Sequence, residues 1–541
     1  MNKIFILLIF IFSNVYSFSS FGKNCCKQDI LTLKSNYKIT NKYLINKLYK
    51  SNGYRLIWSE KNMYDLLDML ENSKINYLRE DYHQYEIRKL IHQLNSNRSY
   101  SRTKVKNRAL LELLLSDSFF LFAKNLNEGL IDWNKFQSLI SQSEKNIVWT
   151  RGKVSKNYLS VLKKSLLRGT ISKDLINYMP KDEGYRLLID AYHRYKYFSK
   201  KGNFIKIDYG STLKEGDYGD RVLQLKKYLY QSGDLKNVDI SYFRDDFFDE
   251  ALKKAVMTFQ KRNYLRVSGM FSKVEILYSR ESIDKKLEKI KLNIERYKIL
   301  SPIKSSEYIV INIPTFSLRY YKYGKLLEDI RVIVGREDRP TPIFEDKLEY
   351  MVINPYWIIP KRLSKRDYIP QLVEDPSSLL KQNIHIHSKS LVSSKEINPY
   401  SVDWSRYLDE NSYLPYTFIQ YPGEHNVLGK MKFIFPNRYQ VYLHDTNAKD
   451  LTLYRYRLFS SGCMRLSKPY AFLELMAKHT SYSYASIMDQ IISKKTKTIK
   501  FSKKIPIHIR YFTAQVSQSG NVEFRKDIYG LDLLQLKAMI K

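Results

Sequence analysis

At 541 residues the chain is too long for a single hydrophobic core, and about three domains are expected. Its 91 lysines and arginines against 55 acids leave a net charge of +36. The basic residues are spread along the whole chain rather than gathered in one arm or helix, which argues against nucleic acid and suits an anionic extracellular polymer or a membrane surface equally well.

Met1-Asn2-Lys3 is followed by an apolar run from Ile4 to Phe12 and by small residues around Ser17 and Ser19. That is the pattern of a secretory signal peptide, expected over residues 1–19. The run is short for a permanent membrane anchor, so membrane contact is expected only if this segment is retained. No later segment approaches the length of an apolar span, and the mature protein is expected to be soluble and exported. Cys25 and Cys26 follow, but Gly22-Lys23-Asn24 lacks the pattern of a lipoprotein cleavage site. The pair reads as part of a tail, open to oxidation.

Residues 28–200 carry apolar spacings of three and four, clearest from Ala109 through Leu115 to Phe122, and read as a helical scaffold. Nothing there collects His, Asp or Glu at metal-ligand spacing. Residues 205–283 change character. Gly216-Asp217-Tyr218-Gly219-Asp220-Arg221-Val222 opens a helix through Leu225 and Leu229, and Phe248-Asp249 opens a second that runs through Ala255-Val256 to Phe259-Gln260. This arrangement resembles the small three-helix peptidoglycan-binding module. Its usual Asp-Gly-x-x-Gly turn is replaced by Ser268-Gly269-Met270-Phe271-Ser272. A charged amphipathic helix over residues 282–300 leads onward.

From Tyr308 the apolar period becomes two. Strands are expected at Tyr308–Ile313, Ile330–Gly335, Tyr350–Pro355 and Gln440–His444, with a hairpin over Ser317–Leu327 turning near Gly324. Residues of about 361–420 read as helical and irregular, an insertion. A last hairpin, Ile507–Val516 with Val522–Arg525, falls in a tail of residues 501–541.

Two of the three cysteines, Cys25 and Cys26, lie near the N-terminus, so Cys463 is the only thiol in the body of the chain. It sits on the Ser460-Ser461-Gly462-Cys463 turn, ahead of a helix with Ser467 as its cap and Pro469 in its first turn. His444 ends a strand upstream. A lone cysteine is most often a small buried hydrophobe. With a histidine in reach it becomes a nucleophile with a general base, and the Ser461-Gly462-Cys463 backbone becomes a source of oxyanion donors.

Over residues 305–500 the chain resembles the YkuD-type catalytic domain of L,D-transpeptidases. The carrying motifs are Arg331-Val332-Ile333-Val334-Gly335, Thr341-Pro342, Asn354-Pro355-Tyr356-Trp357, Lys432-Phe433-Ile434-Phe435-Pro436-Asn437, Tyr442-Leu443-His444-Asp445-Thr446 and Ser460-Ser461-Gly462-Cys463-Met464-Arg465-Leu466. With the upstream domains, they resemble the large periplasmic subfamily that has scaffold and peptidoglycan-binding domains. The fold class implied is α+β and multidomain: a helical scaffold, a three-helix module and a β-rich catalytic domain with a helical capping insertion.

The resemblance implies Cys463 as nucleophile and His444 as base and later acid. Ser461, Gly462 and Arg465 would support the oxyanion loop, Arg465 ordering the loop or meeting a substrate carboxylate. Tyr442, Trp357 and Asp445 would line the substrate pocket. Ser461 stands where many relatives have a second histidine and Asp445 where many have glycine, which leaves the group that orients the base open, a backbone carbonyl among the candidates. The implied reaction needs no metal and no cofactor. Cys463 takes the acyl group of a peptidoglycan tetrapeptide stem, releasing D-alanine, and passes it to another stem's amine as a 3→3 cross-link in the periplasm of a Gram-negative bacterium. Carbapenems would acylate the same thiol. Peptidoglycan stems, and cell-wall synthesis proteins beside them, are the implied partners, with no nucleic acid. Transfer to water (a carboxypeptidase or endopeptidase) or to a protein lysine stays open, and a non-catalytic wall-binding scaffold is the remaining alternative.

Overall fold

The computed structural model describes residues 30, 32 and 37–539, except 73, 79, 97–100, 153–155, 203, 410 and 518–519. The leader expected at 1–19 and the Cys25–Cys26 pair lie outside the described residues. Among the described residues no helix is long and apolar enough to cross a membrane.

The Leu- and Phe-rich run becomes the helix Arg102–Glu128, started by Ser101 and ended at Gly129. Because it is apolar on all sides, it forms the centre of the scaffold, with Leu111, Leu115, Phe119 and Phe122 buried against Tyr49, Leu66 and Leu162. Its buried Glu112 is satisfied by the Tyr49 hydroxyl at 2.9 Å, the Ile57 N–H at 3.0 Å and Arg108 at 3.1 Å.

Three helices follow: Asp220–Ser232, Glu250–Arg262 and Lys273–Ser279. Asp249 caps the second by accepting the Leu252 N–H at 2.7 Å, and Ser272 with Glu275 forms a reciprocal capping box on the third. The helix Ile283–Lys298 follows and joins two cores, Leu292 packing with the barrel residues and Ile290 and Ile294 with those of the module. Its charges are less solvated than an amphipathic reading suggests. Glu295 and Arg296 are fully buried, Glu295 accepting from the Tyr77 hydroxyl at 2.7 Å and the Leu130 N–H at 2.6 Å.

The β-rich part comprises β1 (Glu307–Asn312), β2 (Ser317–Lys322), β3 (Lys325–Gly335), β4 (Glu345–Ile353), β5 (Trp357–Ile358), β6 (Ile384–His387), β7 (Thr417–Gln420), β8 (Met431–Ile434), β9 (Leu443–His444), β10 (Leu458–Ser460), β11 (Met464–Leu466), β12 (Lys497–Arg510), β13 (Ala514–Val516) and β14 (Val522–Phe524). The main sheet runs β10-β3-β11-β9-β8-β4-β12-β1-β2, and β2 also pairs with β3. The sheet therefore closes on itself, leaving β10 attached at its rim. Ile309, Ile311, Leu318, Val332, Met351, Phe433, Leu443, Met464 and Ile507 fill its interior. At the β2–β3 turn Tyr323 and Gly324 both take positive φ, as a tight hairpin requires.

Three features depart from the sequence reading. The insertion contains helices at residues 361–374 but also β6 and β7, which form a three-stranded antiparallel sheet β5-β7-β6 with the strand just before it. Strands of two to four residues are too short to show a period of two. The boundary expected between residues 500 and 501 falls inside β12, which pairs with β4 through a bulge between Lys500 and Ile505. Polar Ser502-Lys503-Lys504 at that bulge hides the alternation. The C-terminal hairpin is thus β13–β14 alone, followed by the helix Leu531–Ala538. Finally, Lys468 rather than Ser467 occupies the cap of the helix Pro469–Ala477, because the Ser467 N–H bonds back to the Arg331 carbonyl at 3.0 Å.

Candidate active site

Side chains alternate across a strand, and the barrel core fixes which way each one points. Leu443 and Met464 are both fully buried in the barrel. Their neighbours Tyr442 and His444, Cys463 and Arg465 therefore stand on the outer face. β9 and β11 are parallel, with Met464 opposite Leu443 and Arg465 opposite His444. On the other side of β9, Lys432 of β8 lies opposite His444. Lys432, His444 and Arg465 thus form one row across three strands. Tyr442 and Cys463 sit beside it, the Met464 N–H donating to the Tyr442 carbonyl at 3.1 Å.

The turn that carries the thiol is braced from several directions. Gly462 has φ +117°, a conformation side chains rarely adopt. Ser460 Oγ accepts the Gly462 N–H at 3.1 Å and donates to the Cys463 carbonyl at 2.5 Å. From the β3–β4 loop, Thr341 Oγ1 donates to the Gly462 carbonyl at 2.9 Å and Arg339 Nη1 donates to Ser461 Oγ at 2.8 Å. With the Gly462 N–H taken by Ser460, the Ser461 and Cys463 N–H groups are the turn's remaining oxyanion candidates.

His444 is buried, and its Nδ1 lies 2.5 Å from the Asp445 carbonyl oxygen. A carbonyl only accepts, so Nδ1 carries the proton and Nε2 is the unprotonated nitrogen. Burial, then the positive charges of Arg465 and Lys432, lower the imidazole pKa to about 3, although the Asp445 carbonyl opposes them. Cys463 is partly exposed. Burial around its sulfur pushes the thiol up to about 11, against the pull of Tyr442, Arg465 and Lys432. At neutral pH the pair is therefore thiol and imidazole, both uncharged. The thiol donates to the Gln440 carbonyl at 3.9 Å.

The insertion covers this face. Burial, and then the neighbouring Cys463 sulfur, raise the pKa of the Tyr442 hydroxyl, while Trp357 of β5 opposes the shift. The Trp357 and Tyr368 rings lie 6.3 Å apart, and Asp367 Oδ2 lies 3.6 Å from Arg339 Nη1. Arg465 Nε is buried without a hydrogen-bond partner among the described residues.

Cys463, His444, Arg465, Tyr442 and Trp357 are thus brought together, with Ser461 and Gly462 shaping the turn. Asp445 is placed differently. It is buried, and its carboxylate accepts the Lys430 N–H at 2.9 Å and the Thr446 N–H at 2.8 Å, beneath the sheet face. Only its main-chain carbonyl reaches the site. Sequence reasoning assigned no role to Lys432, Arg339 or Thr341, although period two on β8 and the quoted Thr341-Pro342 motif carried the signal. Among the described residues no group of three or more His, Cys, Asp or Glu side chains is arranged to hold a metal ion.

Residues 306–482 match the family model of the L,D-transpeptidase catalytic domain. The chain carries an L,D-transpeptidase domain. Upstream of this transpeptidase domain, residues 43–191 match a scaffold domain and residues 218–273 match a provisional peptidoglycan-binding domain. A Haemophilus influenzae protein provisionally named an L,D-transpeptidase is 32% identical over 245 residues, which are 45% of this chain and 48% of that protein. The match thus spans about half the length of that relative. Among solved structures, residues 123–326 of an L,D-transpeptidase from Xylanimonas cellulosilytica align at 14% identity, covering 56% of this chain and 98% of that one, with a TM-score of 0.17. The Ldtfm–avibactam carbamoyl enzyme aligns at 11% identity, covering 42% and 63%, also with a TM-score of 0.17.

Proposed function

We propose that this chain is an exported, periplasmic L,D-transpeptidase that makes 3→3 cross-links in peptidoglycan through a thioester on Cys463. The observation that carries this reading is the shared sheet face: a partly exposed thiol beside an imidazole whose Nδ1–H is held by the Asp445 carbonyl, leaving Nε2 as the base.

Because thiol and imidazole are both neutral, deprotonation accompanies attack rather than preceding it. Cys463 Sγ bonds to the carbonyl carbon of the donor stem's third residue while its proton passes to His444 Nε2. The Ser461 and Cys463 N–H groups receive the oxyanion. Collapse breaks the bond to the terminal D-alanine, whose amine takes the proton from the imidazolium. The side-chain amine of a second stem then attacks the thioester and gives its extra proton to Nε2. The sulfur leaves and recovers that proton, and an amide joins the two stems.

The surroundings fit this sequence. Lys432 and Arg465 favour the charge that develops on sulfur, and the unpartnered Arg465 Nε offers a donor to a stem carboxylate. Trp357 of β5 and Tyr368 of the insertion restrict water, which would otherwise hydrolyse the thioester.

The test is incubation of the protein and Cys463→Ala with a purified disaccharide-tetrapeptide, with products resolved by mass spectrometry. The protein is expected to release D-alanine and form 3→3 dimers, and Cys463→Ala to do neither. Dimers formed by Cys463→Ala would refute the reading. Tripeptide without dimers would make water the acceptor.

A further inference from the structure

A cavity of about 340 Å³ lies at the opposite end of β10 from Cys463, where three parts of the chain meet. The three-helix module contributes Tyr264 and Tyr278, the segment before β10 contributes Arg455 and Tyr456, and the residues after β14 contribute Arg525 and Lys526. None of these belongs to the site described above.

The cations are held in an unusual way. Arg455 lies 5.7 Å from the Tyr264 ring centre and 5.5 Å from that of Tyr456, and donates to the Tyr278 hydroxyl at 3.0 Å. Lys526 lies 5.7 Å from the Tyr456 ring. Neither forms an ion pair among the described residues. Arg525 is paired with Glu523 at 3.0 Å, yet its Nε is buried with no partner among the described residues. Lys289 adds a fourth cation to the wall against two acids, Glu281 and Asp527. Asp527 is already engaged by the Tyr511 hydroxyl at 2.6 Å and the Leu531 and Asp532 N–H groups. Arg455, Lys526 and Lys289 stand outside any ion pair among the described residues, although Arg455 also donates to the Asn263 carbonyl at 3.4 Å and Lys289 to the Arg525 carbonyl at 3.0 Å. A concave wall of tyrosine faces with these cations suits a ligand that presents both C–H faces and carboxylates. Isolated surface lysines of a basic chain would not be gathered this way.

The module's own turn is closed by the protein. Gln260 Oε1 accepts the Ser268 and Gly269 N–H groups at 2.9 and 3.0 Å, and its Nε2 donates to the Met270 carbonyl at 2.8 Å. The junction is the open concavity that the module helps to build.

We propose that this junction cavity is a second, non-catalytic site that binds the carboxylate-bearing glycan–peptide strand of peptidoglycan. The choice of ligand rests on the peptidoglycan reading above, but the site does not need the thiol. The test uses the full chain as Cys463→Ala, which removes turnover, and measures binding of a purified disaccharide-tetrapeptide by calorimetry. Arg455→Gln/Lys526→Gln, both at exposed positions, is expected to weaken binding about tenfold. Binding to the parent should also weaken as salt rises from about 0.05 to about 0.5 M. In the chain that keeps Cys463, the same two substitutions should leave D-alanine release from a free tetrapeptide unchanged. Equal affinity of the parent and the double variant, or binding indifferent to salt, would overturn the proposal. A chain that binds the strand at this site but releases no D-alanine would instead sink the transpeptidase reading alone.

Discussion

The imidazole of His444 donates from Nδ1 to the main-chain oxygen of the next residue, Asp445, at 2.5 Å. The bond fixes the tautomer with a neutral acceptor, where a carboxylate would also stabilise the imidazolium. Burial first, and then Arg465 and Lys432 in the same row, disfavour charge on the ring before substrate arrives. His444→Gln is therefore expected to lower kcat/KM for D-alanine release about 10³-fold. Alkylation of Cys463 by iodoacetamide should change much less, because the resting thiol is not held as an ion pair with the ring. Equal loss in both assays would show instead that His444 maintains a resting thiolate.

The thiol's own titration gives a second expectation. Burial keeps Cys463 protonated toward about pH 11, and Lys432 and Arg465 only partly oppose that shift. Since the thiolate is the reacting form, the alkylation rate should climb with pH through 7 and 8 without levelling off. Lys432→Met removes one cation, so the thiol pKa should rise further and alkylation at pH 8 should slow by about threefold to tenfold. A plateau near neutral pH would contradict the neutral pair.

Much of this was legible in the sequence, and the parts that were not have physical reasons. Cys463 and His444 stand out as residue types placed on a turn and at a strand end. Lys432 does not, since a lysine on a strand ordinarily reads as solvated, and its role depends on a β8–β9 register that only the folded sheet sets. Asp445 misleads in the opposite way. Its position beside the base suggests contact with substrate, but period two turns its side chain under the sheet, where it holds the Lys430 N–H. The small sheet of the insertion escaped because two-residue β5 carries no periodic signal, and the bulge in β12 blurred a domain edge.

Arg339 reaches the nucleophile's turn from another loop. Its Nη1 donates to Ser461 Oγ at 2.8 Å and lies 3.6 Å from Asp367 of the insertion, so one side chain ties the covering segment to the turn. Arg339→Met should leave the thiol present but less well placed. The expected result is a fall in kcat of about 10–100-fold with KM changed far less. A rise in KM at unchanged kcat would assign Arg339 to binding and not to positioning.

Arg296 joins the central helix Ile283–Lys298 to the barrel and to the C-terminal helix. It is fully buried, pairs with Asp532 at 2.7 Å, and donates to Gln535 Oε1 at 2.7 Å and to the Tyr511 carbonyl at 3.0 Å. Its guanidinium lies 5.4 Å from the Trp149 ring centre and 5.3 Å from that of Tyr511. Removing it leaves an unpaired carboxylate and several unmet acceptors in a dry junction. Arg296→Met should therefore destabilise the protein by about 3–5 kcal/mol in chemical denaturation. Arg296→Met/Asp532→Asn should recover part of that loss, since the buried negative charge is then gone. If the single variant unfolded within about 1 kcal/mol of the parent, this pair would be a solvated contact and the central helix would be held by its apolar residues alone.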